Sequence, residues 1–233
     1  MKHTQQFITK KNLLFIVIFV IFGFIALQIP VTQVVGSKAK FTFYDAFAPV
    51  AGSFIGSIPG AIAVFLLQFL NFLFRGARVQ DAGTIIRFFP MLFALLYFGN
   101  IKKEKLLILI PICAMIGFIA HPIGRTVWYF SLFWIIPILA LYFRDILFVR
   151  ALGAAFTAHA VGSALWIWFF PLPAQIWNSL IPVVIAERLL IAFGICGSFI
   201  FVNNFLGFLE KKHILKLGFC INQKYLAPSL RSE

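Results

Sequence analysis

Phe54-Ile55-Gly56-Ser57-Ile58-Pro59-Gly60 interrupts two apolar runs, residues 44–58 and 60–74. Proline removes a helix hydrogen bond and glycine relaxes the backbone, so Pro59-Gly60 inside apolar sequence is a turn signal. Read through, the runs form one long helix. Read as broken, they form a short hairpin that returns to the side it came from. Further apolar runs cover residues 13–29, 83–99, 106–123, 127–143, 151–170 and 177–206. About 20 such residues span a bilayer as a helix. The expected fold is all-α, a polytopic transmembrane helix bundle of seven or eight hydrophobic segments with the broken hairpin among them.

Basic residues choose between the two readings, because Lys and Arg favour the cytoplasmic side. With the break, Lys2, Lys10, Lys11, Lys102, Lys103, Lys105, Arg144, Arg150, Lys211 and Lys212 all fall on one side. Lys38, Lys40, Arg75, Arg78, Arg87 and Arg125 fall on the other. Without the break, the clusters at 101–105 and 210–212 change sides. The broken reading is therefore favoured. It divides the chain into a cytoplasmic segment (1–12), a transmembrane helical domain (13–209) and a cytoplasmic tail (210–233), expected to be loose after Lys216. The expected location is the cell membrane, multi-pass, with both termini cytoplasmic. Residues 13–29 read as a retained first helix, since Gln28-Ile29-Pro30-Val31 makes a poor cleavage site.

Composition agrees. Of the 233 residues, 62% are hydrophobic and 12% charged, against about half and a quarter in soluble domains. Thirty-one are Phe, which is readily accommodated by lipid. The net charge of +13 lies between apolar runs and at the ends, as topology requires, and no nucleic-acid motif accompanies it. Cys113, Cys196 and Cys220 are odd in number and lack a Cys-x-x-Cys pair, so they read as small core hydrophobes rather than a disulfide or zinc framework. No metal or other cofactor is implied. Ala48, Gly52, Gly56 and Gly60 recur at every fourth position, and Ala154, Ala158 and Gly162 form a second series. Small residues at this spacing let helices approach closely in lipid. They serve either bundle packing or docking of another membrane subunit.

Polar and aromatic residues gather at the expected outer helix ends: Asn71, Arg87, His121, Trp128, Trp166, Trp177 and Asn178. Trp and Tyr at one level can form an interfacial belt. Alternatively they line a pocket whose rings stack a flat ligand while amides orient it. His159 and Glu187 are deeper. One lies about 11 residues before Phe170 and the other about 10 after Trp177, and at roughly 1.5 Å per residue they should be level near mid-membrane. Ionisable groups there are expensive and mark function. Glu187 is expected to face His159 or cap a substrate group. Arg188, about 100° around the helix, needs its own partner, with Asp145 or a backbone carbonyl as candidates.

The stretch Phe41-Thr42-Phe43-Tyr44-Asp45-Ala46-Phe47-Ala48-Pro49-Val50-Ala51-Gly52 is continued by Gly56, Pro59-Gly60, Ala63 and Asn71. A Lys-rich turn follows at Asn100-Ile101-Lys102-Lys103-Glu104-Lys105. Across roughly residues 35–125 this resembles the substrate-binding S components of energy-coupling factor (ECF) vitamin transporters, especially the riboflavin type. The resemblance implies capture of a small nutrient from outside, with a transmembrane coupling subunit and two ATPases driving release. The chain has no Gly-x-x-x-x-Gly-Lys-Ser/Thr loop of its own. Two other functions are compatible with the sequence. One is an intramembrane enzyme using His121, His159 and Glu187, although no His-x-x-x-His or Gly-x-Ser-x-Gly pattern supports it. The other is a ligand-free scaffold subunit.

Overall fold

Gly56 adopts φ 87°, ψ 167°, a region essentially reserved for glycine. It ends one helix and begins the next in the computed structural model, which describes residues 10–36, 40–79, 81–99, 104–212 and 221–230. The break therefore falls at Gly56, three residues before the expected Pro59-Gly60. Pro59 is the third residue of the new helix, where its missing N–H would have had no intrahelical acceptor.

Before this break the chain forms α1 (Lys10–Gln28), an antiparallel hairpin of β1 (Pro30–Gln33) and β2 (Lys40–Thr42), α2 (Tyr44–Phe47), a 3₁₀ turn (Ala48–Val50) and α3 (Ala51–Ile55). The run at 44–58 is thus three short pieces. Pro49 lies in the first turn of the 3₁₀ element. Helix α4 (Ser57–Phe74) packs back on α3. A Cβ on Gly60 would sit 3.0 Å from the Gly52 nitrogen, and one on Gly99 would sit 3.1 Å from the Gly52 Cα. The first small-residue series thus seats three backbones against one another inside the bundle. In the second, Ala154 and Ala158 are buried as well.

Then follow α5 (Ala82–Ile86), α6 (Pro90–Phe98), α7 (Glu104–Ala120), α8 (Pro122–Thr126), a 3₁₀ stretch (Trp128–Trp134), α9 (Ile135–Ala140), a 3₁₀ turn (Leu141–Phe143), α10 (Leu147–Phe169) and α11 (Ala174–Lys211). The fold is mostly helical, as expected; the small hairpin was not foreseen. Among the described residues, helices α4, α10 and α11 are each long and apolar enough to cross a membrane, and four shorter apolar helical stretches accompany them. On α1, Phe15 and Phe19 are buried while Leu13, Val17, Ile21 and Ile25 are exposed. An outward apolar stripe of this kind suits lipid as the surrounding solvent.

Helix α10 is central, packed on α6, α11, α7 and α9. It admits α6 at Gly153, where a Cβ would lie 2.3 Å from the Tyr97 hydroxyl oxygen. Tyr97 is fully buried and donates to the Pro137 carbonyl at 2.6 Å. Cys113, expected in a core, is exposed; Cys196 is half-buried.

The tail differs most from expectation. Residues 221–230 are docked, not loose. Asn203 Nδ2 donates to the Asn222 carbonyl at 3.0 Å, and Asn222 N donates to Asn203 Oδ1 at 2.7 Å. Asn204 repeats the reciprocal arrangement with the Tyr225 carbonyl and the Ala227 nitrogen. Leu226 is buried in the notch left by Gly207. Lys2, Lys38, Lys102, Lys103, His213 and Cys220 lie outside the described residues.

Candidate functional site

Helices α10 and α11 are joined by a short Pro-flanked turn, so they run as packed neighbours and bring His159 and Glu187 to one cavity. The cavity measures about 140 Å³. Its floor and walls come from α5–α6, the 3₁₀ stretch, α10 and α11, and the β hairpin closes a further side through Gln33, Val34, Val35 and Phe41.

Two ion pairs border it. Arg87 approaches Asp45 at 3.0 Å, and Asp45, 3% exposed, also accepts from the Thr42 nitrogen at 2.7 Å. Arg188 approaches Glu187 at 3.2 Å, while the other Glu187 oxygen accepts from the Thr32 hydroxyl at 2.6 Å. Both guanidinium groups also lie over Phe41, with centroid distances of 5.6 Å for Arg87 and 4.7 Å for Arg188. Cation–π attraction gains strength where water is excluded. Hairpin register explains the grouping: Thr32 is paired with Phe41 across the strands, so one hairpin supplies the carboxylate's hydroxyl donor and the ring under the cations.

His159 is buried among rings. Its Nδ1 accepts from Trp134 Nε1 at 3.0 Å. That lone pair being taken, the proton of the neutral imidazole sits on Nε2. Phe130 lies 5.5 Å away. Trp177 meets Phe118 and Phe130 edge-on at 5.1 Å each, and among the described residues its Nε1 has no partner; nor does Nε of Arg188. Trp166 stacks on Phe170 at 4.0 Å and donates to the Val35 carbonyl, tying the hairpin to α10.

Of the sequence-derived site residues, Arg87, His159, Trp166, Trp177 and Glu187 line this cavity; Asn71, His121, Trp128 and Asn178 do not. Asn71 sits near the end of α4, its carbonyl accepting from Arg75. His121 caps α8 through Nδ1 and packs edge-on against Trp168 at 5.0 Å. Trp128 is exposed, and Asn178 accepts from the exposed Tyr129 hydroxyl at 2.6 Å. These aromatic and amide contacts at the bundle surface fit an interfacial belt. The expected Glu187–His159 contact is replaced by three others: Thr32 and Arg188 occupy the carboxylate, and Trp134 occupies the imidazole. Arg188 is paired with its own neighbour in sequence, and not with Asp145.

This chain is similar to an uncharacterized protein, MJ0923, of Methanocaldococcus jannaschii. The two are 28% identical over 210 residues, covering 81% of this chain and 69% of that one. No family model matches the chain, and no solved structure matches it significantly.

Sequence reasoning passed over Asp45, Thr32 and Phe41 as site residues, although Asp45 and Phe41 stand in the motif quoted above. A signal was present: an aspartate inside an apolar run demands a cation, and Arg87 is the nearest arginine downstream of the α4 turn that lies in an apolar run. Among the described residues no group of three or more His, Cys, Asp and Glu could hold a metal.

Proposed function

We propose that the chain is a membrane-embedded substrate-binding subunit that captures a small, vitamin-like nutrient from the outer side of the cell membrane. The observation that carries this reading is the cavity. It lies among rings within an apolar bundle, and two buried donors on its lining side chains, Trp177 Nε1 and Arg188 Nε, have no partner among the described residues. Unpaired buried donors cost free energy, and a ligand's acceptors would relieve that cost. Its placement beside the α10–α11 turn, with the Trp166 and Trp177 level facing outward, follows from the positive-inside distribution of Lys and Arg. In this reading the chain crosses the membrane repeatedly and both termini are cytoplasmic. A transmembrane coupling subunit with two ATPases supplies the energy for release.

The test is thermal unfolding of the detergent-purified protein against a panel of vitamins and related nutrients. A ligand at 100 times its Kd stabilises by about 2.7 kcal/mol. One clear stabiliser, displaced by mutation of cavity residues, supports the proposal. A panel with no stabiliser counts against it. The intramembrane-enzyme alternative finds less support, since His121 stands apart from the cavity that His159 and Glu187 share.

A further inference from the structure

Charge, hydrogen-bonding capacity and volume together narrow what the cavity can hold. Its lining carries four charged side chains, Asp45, Arg87, Glu187 and Arg188. They form two ion pairs, so their formal charges cancel. The carboxylate oxygens are all engaged: Asp45 by Arg87 and the Thr42 nitrogen, Glu187 by Thr32 and Arg188. The donors are not. Trp177 and Arg188 are each 2% exposed, and Trp177 Nε1 and Arg188 Nε are unpartnered. The Trp134 bond leaves His159 with its proton on Nε2. The volume of about 140 Å³ is close to the roughly 150 Å³ cavity that accommodates one benzene ring.

We infer that the occupant is an uncharged molecule built on a single six-membered ring, with hydrogen-bond acceptors along its edge. Carbonyl oxygens or ring nitrogens, as in a dioxopyrimidine or a pyridine carboxamide, supply that chemistry. The acceptors take the protons of Trp177 Nε1, Arg188 Nε and His159 Nε2. A cationic ligand meets two carboxylates whose charges are already balanced by Arg87 and Arg188. An anionic ligand adds a charge that no free cation among the described lining residues balances, and burying an unbalanced charge is costly. A three-ring system is larger than this volume. The inference rests on reading the cavity as a capture site.

The experiment titrates the purified wild-type protein by calorimetry with five probes: uracil, pyridine-3-carboxamide, pyridine-3-carboxylate, benzylammonium and riboflavin. The expected result is binding of an uncharged single ring, with the matched carboxylate at least about ten-fold weaker, as burial of a charge without a counter-ion predicts. Trp177→Phe keeps the ring and removes the donor. It should weaken the uncharged probe by about ten-fold, while the melting temperature of the ligand-free protein stays level or rises. Tighter binding of the carboxylate, of benzylammonium or of riboflavin overturns the ligand class and leaves the capture reading standing. Failure of these probes and of the wider nutrient panel overturns both. Unchanged affinity in Trp177→Phe overturns the donor assignment. If that variant does not fold, the order of the five probes on the wild type decides.

Discussion

Arg188 shows how much one buried side chain can dictate around it. A guanidinium at 2% exposure must be compensated locally, because the desolvation cost of an unpaired buried ion is several kcal/mol. Glu187, its neighbour along the helix, swings back to meet it at 3.2 Å, and Phe41 supplies a ring at 4.7 Å. Glu187→Gln keeps an acceptor for Thr32 but leaves the cation without its counter-charge, so it should destabilise by about 3 kcal/mol. Thr32→Val removes one hydrogen bond to a carboxylate and should cost about 1.5 kcal/mol. Chemical unfolding of the two variants in detergent gives the order; equal effects would mean that Arg188 draws its compensation elsewhere. Residue counts along two helices put His159 and Glu187 at one level, and both do line one cavity. Their actual partners were not readable. Thr32 lies 155 positions away from Glu187, and no spacing rule connects a strand residue to a distant helix.

At the scale of elements, the double glycine–proline signal identified a break but not its position. Gly56 bears the positive φ, whereas Pro59 fits comfortably in a first helical turn. The runs at 83–99 and 127–143 also resolve into shorter pieces, with Pro90 opening α6 and Pro137 within α9. Apolarity alone cannot distinguish one helix from two in series, since both bury or expose the same side chains. Contacts between elements can be tested by filling their notches. Gly153→Ala pushes a Cβ to 2.3 Å from a Tyr97 that is already hydrogen-bonded and fully enclosed. Overpacking of this kind should cost about 3 kcal/mol. Gly117→Ala, within α7 and with nothing inside 4 Å, should instead gain up to about 1 kcal/mol from helix propensity. Melting temperatures of the pair report the contrast, and parity between them would refute the tight α6–α10 seat.

At the scale of the whole molecule, the two ends of the bundle are finished differently. One carries the cavity and its hairpin; on α11, well beyond Glu187 and Arg188, Asn203, Asn204 and Gly207 receive a strap from residues 221–230. The sequence signalled a polar tail with Pro228, which describes a strap and a free end equally well. What distinguishes them is a pair of adjacent asparagines presenting amides at the right height, visible only once α11 is continuous to Lys211. Backbone amides of Asn222 and Ala227 should therefore resist hydrogen exchange. Asn203→Leu should abolish protection at Asn222, and Asn204→Leu at Ala227. Fast exchange at both positions in the unaltered protein would mean that the strap does not hold.

The cancelling ion pairs beside the cavity also bear on energetics across the bilayer. A transmembrane potential acts on net charge, at about 2.3 kcal/mol per elementary charge per 100 mV. Asp45 offsets Arg87, and Glu187 offsets Arg188, so loading a neutral guest gives the field nothing to pull on. Proteoliposomes polarised with a potassium gradient and valinomycin should bind such a guest as well as depolarised ones. A voltage-dependent affinity would reveal a co-bound ion or a charged guest.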